Sequence, residues 1–148
     1  MNSAVDTNLL LYAHNSSVSQ HSAARDFVES RVLAVGEEEF VICHQTLCEL
    51  FAALTNSILL PNPLTTEQAW DVCRIYLDHP LIQKIAYEPA ILKVIESLLR
   101  DGPQRGKRLF DLKLAATLRY HRVRRLYTCN PKHFAGFDFL EVVHPLKG

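Results

Sequence analysis

Phe40-Val41-Ile42-Cys43 is a run of four residues with no polar member and no alternation. A strand with one face in water alternates apolar and polar side chains; a strand covered on both faces does not. This run therefore predicts a sheet with a layer on each side. Its neighbours agree. Ser3 to Asp6, Ile82 to Tyr87, Leu126 to Thr128 and Phe139 to Val143 are short strand-like segments. Between them lie helical patterns: about His21 to Val35, with Ala24, Phe27, Val28 and Arg31 at helical spacing, and about Gln45 to Leu59, with Leu47, Leu50, Phe51, Leu54 and Ile58 as its core stripe. Pro61 and Pro63 stop the second of these. Thr65 and Gln68 form a capping box for a helix carrying Ala69, Trp70, Cys73 and Leu77. Glu88-Pro89 opens a further helix that Gly102 closes, residues 103–107 form a loop, and Asp111 to His121 form another helix. Strands alternating with helices predict a three-layer α/β fold with a mainly parallel central sheet.

At 148 residues the chain fits one domain, 1–148. No apolar run approaches the roughly 18 residues of a membrane span. The N-terminus lacks the basic segment of a secretory signal, and Asp6 interrupts any apolar one, so the expectation is a cytoplasmic protein. Four cysteines suit that compartment as free thiols; Cys43 and Cys48 frame a stretch without the paired spacing of a zinc site. The net charge is zero, but the stretch from Arg100 to Arg125 holds nine of the sixteen Lys and Arg residues against two Asp, a local charge of +7. That is either a solvated face or a patch for a polyanion.

Four polar residues stand where the pattern makes them conspicuous. Asp6 ends the first strand, before Thr7 and Asn8. It is either a cap for the following helix or a ligand at the carboxyl end of the sheet, where α/β sites form. Glu49 interrupts an apolar helix and shares a face with Ala52, Ala53 and Asn56. Asp111 begins the helix that follows the basic loop, where an acid also suits the helix dipole. Asn130 follows the fourth strand, where it also suits a turn. Asp6, Glu49 and Asp111 can all converge at one sheet edge. Three carboxylates crowd together only when something offsets their repulsion; a hard cation such as Mg²⁺ or Mn²⁺ does so and prefers oxygen ligands. A nucleotide-binding flavodoxin or Rossmann reading is disfavoured, since no G-x-G-x-x-G follows the first strand.

The segments VDTNLLLYA, TLCEL, FDLKLAATLRYHRV and YTCNPKHF, in that order and spacing, resemble the PIN-domain family, most closely the VapC-type toxins of bacterial toxin–antitoxin pairs. The resemblance implies a metal-dependent endoribonuclease. It places Asp6, Glu49 and Asp111 at the acidic metal positions and Thr128 at the motif's threonine. Asn130 stands where many members carry a fourth Asp, and an amide brings no charge toward a second metal. The candidate site is thus Asp6, Glu49, Asp111 and Asn130 for catalysis, the three acids for Mg²⁺ or Mn²⁺, and Thr7, Asn8, Lys107, Arg108 and Thr128 for RNA. A homodimer and a cognate antitoxin are the implied protein partners. A non-catalytic RNA-binding protein of the same fold is the alternative.

Overall fold

The computed structural model describes residues 2–102, 105–106 and 108–147. Five strands, β1 (Asn2–Val5), β2 (Glu39–Cys43), β3 (Ile82–Ile85), β4 (Arg125–Tyr127) and β5 (Glu141–Val143), form one sheet in the order β3-β2-β1-β4-β5. Every pairing is parallel. β1 lies in the middle, and the chain winds outward first to one side and then to the other. The carboxyl ends of β1 and β4 consequently lie side by side at the point where the winding reverses, which is where such sheets bind ligands.

Six helices flank the sheet: α1 (Thr7–Ala13), α2 (His21–Phe27), α3 (His44–Leu54), α4 (Thr66–Leu77), α5 (Ile91–Asp101) and α6 (Arg108–Tyr120). One core joins Val5, Phe40, Ile42, Ile82 and Tyr127 to α1 through α4. The other joins Ala4, Val41, Cys43, Ile85 and Leu126 to α5, α6 and Phe134. Successive residues of β2 from Phe40 to Cys43 thus enter opposite cores, which explains why that run carries no polar residue.

Several boundaries differ from the sequence expectation. α3 stops at Leu54 rather than Leu59. Asn56 ends it: its side-chain carbonyl accepts the Ile58 amide at 2.8 Å, a local bond that competes with continued helix. Ile58 is therefore 91% exposed and not part of the core stripe. The helix from His21 widens into a π-turn over Val28–Val32 and ends there, short of Val35. β3 and β5 are shorter than their apolar runs, and α6 begins a turn before Asp111. A 3-10 turn, Pro131–Phe134, was not legible in the apolar pattern. The Thr65–Gln68 capping box is present with both of its bonds.

Candidate active site at the carboxyl edge of the sheet

Asp6 follows the last residue of β1. Its amide donates to the Tyr127 carbonyl at 2.9 Å, prolonging the β1–β4 ladder. The backbone then turns into α1, with Asp6 as N-cap. The cap and ligand readings of Asp6 are compatible, because its two oxygens have separate partners. Oδ1 accepts the Thr7 amide at 2.8 Å and Oδ2 accepts the Thr128 hydroxyl at 2.8 Å. Each oxygen keeps a further lone pair for another partner.

Glu49 lies in α3, which follows β2 directly. The Thr7 hydroxyl donates to its Oε2 at 2.9 Å, and the Gln45 amide donates to Oε1 at 2.6 Å. Thr7 therefore ties two candidate ligands together: its amide serves Asp6 and its hydroxyl serves Glu49. Asp111, in the first turn of α6, has His133 Nδ1 at 3.4 Å and Arg108 Nη1 at 4.0 Å from its Oδ2. His133 belongs to the 3-10 turn after β4.

The three acids share one electrostatic field. Burial pushes the Asp6 carboxyl above its ordinary range. The Thr128 and Thr7 hydrogen bonds work against that rise, while the charges of Glu49 and Asp111 add to it. Burial also raises Asp111, opposed by His133 and Arg108 and reinforced by Glu49. Asp6 and Asp111 thus sit where their charged forms lack sufficient compensation.

Other candidates have different positions from those expected. Thr128 has no exposed surface, and its hydroxyl donates to Asp6 while accepting the Asn130 amide at 3.0 Å. Through that bond it orients Asp6. Asn8 faces the same loop: its Oδ1 accepts the Cys129 amide at 3.2 Å and its Nδ2 reaches the Thr128 hydroxyl at 3.4 Å. Its amide braces the loop after β4, and Thr7 is engaged with Asp6 and Glu49, so both side chains help to hold the site's geometry. Asn130 is exposed and reaches the cluster through its backbone N–H. Lys107 lies outside the described residues. His133 and Gln45 were missed. Gln45 precedes Glu49 by one helical turn, a signal present in the sequence, whereas the approach of His133 depends on how the 3-10 turn folds back on α6.

An oxygen-only set of carboxylates fits a hard divalent cation. No three Asp, Glu, His or Cys side chains among the described residues are gathered into a ready-made metal cluster. The arrangement suits an open site of the Mg²⁺ kind, in which water supplies several ligands. The free thiols do not add to it: Cys43 and Cys73 are buried, Cys129 is half-buried and Cys48 is exposed.

A parallel sheet with acids over its central carboxyl edge defines a class of hydrolase-like α/β site, and comparison with known proteins gives it a family. The PIN-domain family model matches residues 4–140. Ribonuclease VapC24 of Mycobacterium tuberculosis is 33% identical over 144 residues, covering 97% of this chain and 96% of that protein. A VapC ribonuclease of Mycobacterium bovis, Mb2897, is 26% identical with 97% and 95% coverage. The chain belongs to the PIN-domain family, in its VapC ribonuclease branch. Solved structures share the fold. VapC20 of Mycobacterium tuberculosis, described as a sarcin–ricin loop cleaving toxin, superposes with a TM-score of 0.66 at 15% identity, covering 91% of this chain and 95% of that one. The VapBC-1 structure from nontypeable Haemophilus influenzae gives 0.67 at 18% identity, with 99% and 100% coverage.

Proposed function

We propose that this chain is a metal-dependent endoribonuclease, the toxin of a type II toxin–antitoxin pair, that hydrolyses RNA phosphodiester bonds at the carboxyl edge of its sheet. The observation that carries this reading is that Thr7 links Asp6 to Glu49, with Asp111 near enough for its charge to act on Asp6 and Arg108 beside it, in a chain of this family. The three carboxylates would hold Mg²⁺ or Mn²⁺. When bound, the ion supplies an acidified water and positive charge for the scissile phosphate.

The surrounding residues do the positioning. Thr7 and Thr128 fix both oxygens of Asp6, and Thr7 and Gln45 fix both oxygens of Glu49. Arg108 stands beside Asp111 and is half exposed, so it can meet a backbone phosphate without reading sequence. Lys107 is assigned the same role from its place in the basic loop. Asn130 is the candidate for an uncharged contact at the site's mouth.

The chain acts in the cytoplasm on this reading, and no helix among the described residues is long and apolar enough to cross a membrane. Solved relatives of the fold include a toxin–antitoxin complex from Klebsiella pneumoniae, with a TM-score of 0.61 at 21% identity and 97% coverage of both chains. That supports a small antitoxin, encoded beside this chain, as its inhibitor. α4 exposes Trp70 and Ile75, which supports a homodimer. Light scattering at micromolar concentration tests that point, with a monomer mass as the contrary result.

Incubating the protein with a mixed RNA pool, with divalent metal and with chelator, tests the activity. Cleavage that needs the metal and is suppressed by the neighbouring product is the expected result. Binding without cleavage would favour a non-catalytic RNA-binding role and contradict the proposal.

A further inference from the structure

Beside the acidic cluster, a cavity of about 600 Å³ opens between the end of α5, the exposed face of α6 and the loop before β5. Two of its lining residues, Arg108 and His133, face Asp111. The cavity is therefore continuous with the site at the residues that would meet the scissile phosphate. Arg108 and Arg119 are eleven positions apart on α6, three helical turns, so both point to this side.

The lining is not that of a phosphate pocket. Arg119 and Lys132 bring positive charge, but Asp101 and Asp138 line the same space and would repel an anion. Aromatic surface comes from the half-buried Phe139, backed by the buried Phe137 with ring centroids 6.0 Å apart. The Arg119 guanidinium lies 5.2 Å from the Phe139 ring centroid. That contact occupies one face of a planar group whose residue is exposed, leaving the other face for a second flat partner. A stacking plane, aromatic surface and carboxylate acceptors suit a nucleobase that carries hydrogen-bond donors.

Resting on the ribonuclease reading, we propose that this cavity is a nucleobase subsite: an unpaired base flanking the scissile phosphate stacks on Arg119 and presents its donor edge to Asp138. The base is guanine. Its ring N–H and adjacent amino group point the same way, which matches the two oxygens of one carboxylate, whereas uracil and cytosine offer no such adjacent pair of donors. Arg108, Lys132 and His133 then hold the backbone between this base and the acids. The subsite makes cleavage sequence-selective at one fixed position relative to the cut.

Short uridine-rich RNA oligomers with one guanosine, one inosine or neither provide the probe. Binding is followed by fluorescence anisotropy in chelator, and cleavage of a random pool is sequenced separately with metal. The wild-type protein should bind the guanosine oligomer about tenfold more tightly than the all-uridine one. Inosine, which lacks the amino group, should fall between them. Asp138→Asn should abolish the preference, and Arg119→Ala should weaken guanosine binding about tenfold. Arg119→Lys should not restore it, because the ammonium has no plane to stack. Equal binding of all three oligomers, or an unchanged preference in Asp138→Asn and Arg119→Ala, overturns the subsite and leaves Arg119 over Phe139 as a surface contact only. The two proposals fail separately. Guanosine preference without metal-dependent cutting supports the subsite and contradicts the ribonuclease reading. Cutting with no base preference at any fixed position does the reverse.

Discussion

Two carboxylate clusters sit at opposite edges of the same sheet and are treated in opposite ways. At the amino edge, Glu38 accepts hydrogen bonds from Ser3 at 2.5 Å, Tyr127 at 2.7 Å, Arg125 at 3.0 Å and Arg31 at 2.6 Å. Burial alone would raise its carboxyl, but these four donors overcome it and lower the value from 4.5 to about 2. At the carboxyl edge, Asp6 and Asp111 are raised by burial and by their acidic neighbours, and the donors around them do not compensate. One cluster is complete without a ligand and fastens β1, β2 and β4 together. The other is left with uncompensated charge that a bound cation would offset. A carboxylate's partners, rather than its burial, separate a structural acid from a candidate ligand.

The largest effect falls on activity. Asp6→Asn should lower RNA cleavage by about a thousandfold, since the lost charge acts on the transition state, while Glu38→Gln should retain metal-dependent cleavage; initial rates on a common RNA substrate measure both. A loss as large in Glu38→Gln would erase the distinction between the clusters. The next effect falls on stability. Glu38→Ala should destabilise the fold by about 2 kcal/mol, less than the full pKa depression because solvent screens the cluster, measured by denaturant unfolding. The same depression fixes a pH dependence. Because folding lowers the Glu38 pKa, its stabilisation is full above the unfolded value of 4.5 and is lost as pH falls through about 2. The stability gap between wild type and Glu38→Gln should therefore close over that window.

Smaller effects sharpen the carboxyl edge. Thr128→Val removes the hydroxyl that orients Asp6 and should reduce cleavage about tenfold, with Thr128→Ser restoring most of it. In metal-free protein Asp6→Asn should raise stability, because it removes a charge that is both desolvated and repelled. Chemical denaturation in chelator measures this; a loss of stability would mean that Asp6 is held in place as firmly as Glu38.

The contrast also marks what could be read in the sequence. Asp6, Glu49 and Asp111 could be singled out as candidates because each interrupts an apolar pattern at a strand end, in an apolar helix or at a helix start. The layered fold was legible from β2 alone. Glu38 was not, because it sits among Glu37 and Glu39 in what looks like a solvated turn, and its partners are scattered from Ser3 to Tyr127. Only the parallel register brings them together. His133 was hidden for a similar reason: it follows Asn130 in a turn whose direction no periodicity records. Ile58 was misplaced because helical spacing continued past Asn56, whose side chain ends the helix.

Thermal unfolding with and without millimolar Mn²⁺ or Mg²⁺ tests the central claim most directly, because only the folded chain brings the three acids together. Wild-type protein should melt at a higher temperature with the metal, Asp6→Asn and Glu49→Gln should lose most of that rise, and Glu38→Gln should keep it from a lower starting point. A wild-type melting temperature indifferent to both ions, or an equal rise in Asp6→Asn, would contradict a metal site at the carboxyl edge.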